Sequence, residues 1–171
     1  MGMNNDSGGL AFFLAPLELE QPQDAYDGGL GLFNLTTFTG PLYQMVAMEF
    51  DSFKNLWDPD NNNVGIDVND VYSNFSVSLS YSSLFNCSCD PHLTNGDTWD
   101  AWVDYDGGEK SLQVFLLYNS TNANFSKPKN PLFSYPIDPR SFLPENIQVG
   151  LSAATEYSTV TCIVNTSEFF L

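Results

Sequence analysis

Apolar and polar residues alternate along much of this chain. Phe75, Val77, Leu79 and Tyr81 are separated by Ser76, Ser78 and Ser80. That period of two puts one side of a strand against a core and the other in water. Residues 102–105 and 112–118 flank Asp106-Gly107-Gly108-Glu109, which predicts a hairpin whose glycines supply the positive φ values of its turn. Further short apolar runs occur at 10–14, 30–33, 46–50 and 147–151, each bounded by Gly, Pro, Asn or Asp. No window sustains an apolar stripe at helical spacing over three turns, so helices are short connectors, one of them around 139–146. The polar stretch 118–129 reads as a long exposed loop. The expectation is an all-β sandwich or jelly roll, one domain over residues 1–171 with no repeat or linker.

Composition supports a packed core. Hydrophobic residues make up 43% of the 171, and 14 Phe, 8 Tyr and 3 Trp are more aromatic surface than a disordered chain carries. A formal charge of −16 with 5 basic residues excludes binding of nucleic acid by phosphate neutralisation. Cations, neutral ligands or basic partners remain. No apolar run approaches the ~20 residues of a membrane span. The first residues lack the charged and apolar regions of a signal peptide. Seven Asn-x-Ser/Thr sequons, at Asn5, Asn34, Asn74, Asn86, Asn119, Asn124 and Asn165, pull instead towards the extracellular, secretory side. Cys87, Cys89 and Cys162 leave at least one thiol unpaired and, with the single His92, complete no zinc tetrad. Idle cysteines and a bridge from Cys162 to Cys87 or Cys89 both stay open.

The informative segment runs from Glu49 to Asp70, where six carboxylates (Glu49, Asp51, Asp58, Asp60, Asp67, Asp70) face one base, Lys54. Glu49, Asp51 and Phe53 share one face of an extended strand. Adjacent carboxylates repel unless a cation lies between them, and hard divalent ions want six to eight oxygens. Glu49 and Asp51 on a strand, followed by Asn55 and Asp58 on a loop, can supply them. A solvated acidic loop would carry the same letters. An EF-hand starting at Asp58 fails, with Asn63 at its sixth position and Asn69 at its twelfth. A glucanase-type Glu-x-Asp-x-x-Glu fails as well, because Lys54 stands where the second Glu is required, so no hydrolytic enzyme is expected.

Six blocks, in order and spacing, resemble the legume (L-type) lectin family, which includes soluble lectins and lectin receptor kinase ectodomains. They are Gly9-Leu-Ala-Phe-Phe-Leu-Ala-Pro16, Gly28-Gly-Leu-Gly-Leu-Phe-Asn34, Val46-Ala-Met-Glu-Phe-Asp-Ser-Phe-Lys-Asn55, Asp58-Pro59, Val64-Gly-Ile-Asp-Val-Asn69 and Val149-Gly-Leu-Ser-Ala-Ala-Thr155. The resemblance covers about 8–155, and 156–171 is a divergent tail. It implies a concanavalin-like jelly roll that binds glycans or glycoproteins in a shallow pocket above one calcium and one transition-metal ion, usually manganese. Calcium would be held by Asp51, the Phe53 carbonyl, Asn55 and Asp58. The second ion would be held by Glu49, Asp51 and Asp58, with Ser73 reaching it through water. Asn55 would donate its amide to a sugar hydroxyl, Phe53 would stack on the sugar's apolar face, and Gly28 or Gly29 would give a backbone donor.

Three departures qualify that expectation. Asn63 stands where the family has a metal-binding histidine, replacing an imidazole nitrogen by an amide oxygen and putting the transition-metal site in doubt. Gly8 stands where soluble members carry a sugar-binding Asp, which removes two acceptor bonds and weakens simple-sugar binding. The family's first strands precede the block that begins at Gly9. Their lack here suggests a truncated product, an incomplete gene model, or a short paralogue completing its sheets with a partner chain, as in a homo-oligomer. The alternative to a sugar-binding lectin is a lectin-fold structural or defence protein, or a receptor ectodomain fragment, that has lost sugar binding.

Overall fold

A computed structural model describes residues 8–36, 44–81, 85, 91–119 and 126–155. All three cysteines lie outside these, as do the sequons at Asn5, Asn86, Asn124 and Asn165 and the tail from 156.

The described chain is a two-sheet antiparallel sandwich. Strands β1 (Gly8–Pro16), β2 (Val46–Asp51), β3 (Asn63–Val68), β4 (Phe75–Ser78) and β8 (Ile147–Thr155) form one sheet in the order β4-β3-β2-β1-β8. Strands β5 (Thr98–Asp106), β6 (Ser111–Asn119) and β7 (Phe133–Pro136) form the other. The period of two explains the layering. Val46 and Met48 of β2 and Val64 and Ile66 of β3 point to one side and are fully buried. They cluster with Leu112, Val114 and Leu116 of β6 and with Phe133 of β7. Burying each of these side chains contributes about 1.5–3 kcal/mol.

The opposite face of the five-stranded sheet has its own core. Ala11, Ala15 and Ala47 present small side chains, and Leu30, Leu32, Phe33, Met45 and Val71 from loops pack onto them. This second core lays the loops over the sheet. Asn69, itself left-handed at φ 61°, pins one of them by accepting from Met45 N at 2.8 Å and donating its own N–H to Met45 O at 3.0 Å.

Three local expectations need correction. Residues 30–33 are a buried turn rather than a strand, because a short 3-10 turn at Asp27–Gly29 is followed by left-handed Leu30 and Gly31. The β5–β6 hairpin forms, but its left-handed residue is Lys110 (φ 51°) and not a glycine. The Asp106 side chain shapes that turn by accepting from Gly108 N at 2.8 Å and Glu109 N at 3.0 Å. The alternating run from Phe75 stops at Ser78. Leu79–Tyr81 is a 3-10 turn that tucks Leu79 into the core, with Leu79 N donating to Asn62 O at 2.8 Å.

Candidate functional site

The register of β2 and β3 builds an acidic face. Glu49 lies across from Gly65, Asp51 across from Asn63, and Ala47 across from Asp67. Since Met48, Val64 and Ile66 fill the inter-sheet core, Glu49, Asp51, Asn63 and Asp67 all project from the other side of the sheet. None reaches water appreciably: Glu49 is 3% exposed, Asp51 6%, and Asn63 and Asp67 0%. Gly65 is what makes room. A Cβ there would lie 2.4 Å from Glu49 Oε1 and 2.8 Å from Ser73 Oγ, and Ser73 donates its hydroxyl to that same Glu49 oxygen.

The loop after β2 folds back to add a further carboxylate. Phe53 N donates to Asp51 Oδ1 at 2.9 Å and Asn55 N donates to Asp58 Oδ2 at 2.6 Å. These bonds bring Asp58, 7% exposed, beneath Asn55. One oxygen from each of Glu49, Asp51 and Asp58 lies within 4.8 Å of the other two.

Such a cluster is electrostatically unfavourable by itself. Burial pushes the Glu49 carboxyl up to about 7, with Asp58 adding repulsion, and pushes Asp51 up to about 9, with Glu49 adding repulsion. Burial likewise raises Asp58, and lifts Asp67 well above the usual carboxylate range. Several buried oxygens also lack a donor: Asp58 Oδ1, Asn63 Oδ1 and both Asp67 oxygens. Asn63 gives its Nδ2 to Asp60 O at 3.1 Å, which leaves its oxygen as the free end. An all-oxygen set of this kind, negative and unsatisfied, fits a hard divalent cation.

Above the cluster lies a shallow open hollow lined by Gly8, Gly9, Asp27, Gly28, Leu30, Asp51, Phe53 and Asn55. Three segments meet there. The 3-10 turn carries Asp27 and Gly28, and the loop after β2 carries Phe53 and Asn55. The start of β1 is held against that loop, with Ser52 N and Ser52 Oγ both donating to Gly8 O. Gly28 packs directly on the Asn55 amide, where a Cβ would fall 2.4 Å from Oδ1.

The structure therefore gathers Glu49, Asp51, Asp58, Asn63 and Ser73 in one cluster and Gly28, Phe53 and Asn55 in the hollow over it. Gly29 is not among the hollow's lining residues; it is buried, and its N–H is given to Tyr26 O at 2.9 Å. Ser73 touches Glu49 directly. Sequence reasoning left Asp67 unassigned among the acidic residues, although the alternation Asn63, Gly65, Asp67 puts it on the face of Glu49. Asp60 and Asp70 cap turns, accepting from Asn62 N at 3.0 Å and Tyr72 N at 3.2 Å.

Comparison with known proteins points to one family. Residues 2–169 match the legume lectin domain family. A bark lectin of Styphnolobium japonicum is 34% identical over 156 residues, covering 91% of this chain and 50% of its own. Among solved structures, lectin II from Ulex europaeus superposes with a TM-score of 0.68 at 30% identity, covering 90% of this chain and 59% of the other. A lectin from Bauhinia forficata in complex with GalNAc superposes with a TM-score of 0.69 at 28% identity, covering 90% and 61%. The chain spans about half the length of the curated relatives it matches.

Proposed function

The chain belongs to the legume lectin family, and from that premise we propose that it is a non-catalytic carbohydrate-binding protein whose sugar hollow is organised by cations beneath it. The observation that carries this reading is the stacking of two sites: Phe53 and Asn55 line the hollow, while Asp51 and Asp58, which hydrogen-bond the backbone of those same two residues, belong to the carboxylate cluster.

Phe53 offers a ring face to sugar C–H groups, Asn55 offers amide donors, and Gly28 leaves the backbone open to a ligand. Calcium would be held by Asp51, Asn55, Asp58 and the Phe53 carbonyl. A second divalent ion would be held by Glu49, Asp51 and Asp58, with the Asn63 oxygen in reach of the same face. When bound, the cations neutralise the buried carboxylates and fix the loop that carries Phe53 and Asn55. Asn63 favours manganese, magnesium or calcium over later transition metals at the second position.

Gly8 lines the hollow without a side chain, which supports weak binding of simple sugars or, as a second reading, a lectin-fold protein that has lost it. Asn74 is exposed, so an N-glycan is sterically admissible there, in keeping with a secretory route. Among the described residues no helix is long and apolar enough to cross a membrane. Titration of the folded chain with neutral monosaccharides, with and without calcium, tests the reading: calcium-dependent binding supports it, and no binding in saturating calcium favours the second.

A further inference from the structure

We infer that Ser152 of β8 is a positioning residue for the sugar hollow: through the Leu30 carbonyl its hydroxyl sets the turn that faces Asn55, separately from the cations below. This rests on the reading of the hollow as a sugar site. Ser152 is not among the hollow's lining residues. It donates its hydroxyl to Leu30 O at 2.7 Å, across 122 positions of sequence.

The turn depends on Leu30. This residue follows the 3-10 turn Asp27–Gly29 as its left-handed cap, at φ 53° and ψ 20°, a conformation that a leucine holds only when its surroundings impose it. Three contacts do so. Its N–H donates to Asp27 O at 3.1 Å, and its carbonyl accepts from Ser152. Its side chain, 3% exposed, lies so close to β1 that a Cβ on Gly9 would stand 2.4 Å from Leu30 Cδ2. Gly9, Gly28 and Leu30 all line the hollow, so the spacing of the turn from the start of β1 is the spacing of two of its walls. The seat is tight on the β8 side as well, where a Cβ on Gly31 would lie 2.6 Å from Ser152 Oγ.

The register separates this anchor from the cations. Ser152 lies across from Ala11, and Ala11 lies across from Glu49. All three therefore share one face of the sheet, with Ser152 two strand spacings, about 10 Å, from Glu49. On that face β2 and the loop after it carry the carboxylates and Asn55, while Ser152 supports the turn from β8. Cations order one wall of the hollow and Ser152 holds the other. A wall held in place before the ligand arrives spares the sugar the cost of ordering it, so losing the hydroxyl lowers affinity.

The test compares the whole chain with S152A and S152T in saturating calcium. Titration with glucose, mannose, galactose and N-acetylgalactosamine gives sugar affinity, and a separate titration gives calcium affinity. Amide hydrogen exchange reports on residues 29–31, whose N–H groups are bonded within the turn segment. The inference expects S152A to lose about tenfold or more in sugar affinity at unchanged calcium affinity, and S152T to stay within about threefold of wild type. Exchange should quicken at 29–31 in S152A and stay unchanged in β2. A serine that only stabilised the fold would lower the melting temperature and leave the sugar affinity of the folded chain as it was. Sugar affinity of S152A within about threefold of wild type, or S152T as weak as S152A, overturns the inference and leaves the lectin reading standing. A parallel loss of calcium affinity overturns it too, since the two walls would then not be separately held. If the wild-type chain binds none of the four sugars, the lectin reading fails and this inference fails with it.

Discussion

Gly28 and Asn55 are in contact across the hollow: a Cβ on residue 28 would stand 2.4 Å from Asn55 Oδ1 and 2.7 Å from its Cγ. The amide of Asn55 is thus positioned from two sides, by the absent side chain of Gly28 above and by Asp58, which accepts from its backbone N–H, below.

Gly28→Ala therefore pushes the Asn55 side chain aside. Sugar affinity should fall by at least about tenfold, and fold stability by no more than about 1–3 kcal/mol, the range for overpacking. Isothermal titration with the best monosaccharide ligand, beside a denaturant melt, measures both. Unchanged affinity would mean that Asn55 does not contact the sugar.

Gly65→Ala acts on the lower site. The new methyl would meet Glu49 Oε1 and Ser73 Oγ, both fixed by β2 and the loop after β3, so Glu49 must leave the cluster. The variant should lose the thermal stabilisation that manganese or magnesium gives the parent while remaining folded by circular dichroism. Equal stabilisation of parent and variant would remove Glu49 from the cation site.

Asn63→His restores an imidazole at a position that faces Asp51 in the β2–β3 register. Manganese or zinc retained after dialysis should rise, because imidazole binds the later transition metals more strongly than an amide oxygen does. Metal content that does not change with the substitution contradicts this.

Removing cations should also reverse the pH dependence of stability. An unfolded carboxyl titrates near about 4, whereas burial holds Glu49 at about 7 and Asp51 at about 9 in the folded chain. Between those values the folded chain binds more protons than the unfolded one, so stability is lost as pH rises through that window. In EDTA the melting temperature should fall from about pH 5 to about pH 8, and in calcium it should hold or rise as the ion displaces those protons. A melting temperature that rises with pH in EDTA would show that the carboxylates are not buried together.

Much of this was legible in the letters because β periodicity and metal chemistry are local. Val46 to Asp51 reads as a strand with two faces, and the carboxylates on one of them read as a cation site or a solvated acidic surface, of which the structure shows a buried cluster. The resemblance supplied Asn55 and Gly28, whose meeting no spacing rule could give, since they come from separate loops. Residues 30–33 misled because an apolar run looks the same in a strand as in a loop buried on a second core. Asp67 was missed because its burial depends on the loops laid over the sheet.

The claim on which the rest depends is that cations organise the sugar hollow, and the most direct measurement is a paired calorimetric titration of the wild-type chain and Asp51→Ala, first with calcium and then with a neutral monosaccharide. The account predicts that the wild-type chain binds calcium and, only after calcium, sugar, and that Asp51→Ala, folded by circular dichroism, binds neither. Sugar binding of equal strength with and without calcium, or calcium binding that survives Asp51→Ala unchanged, would contradict it.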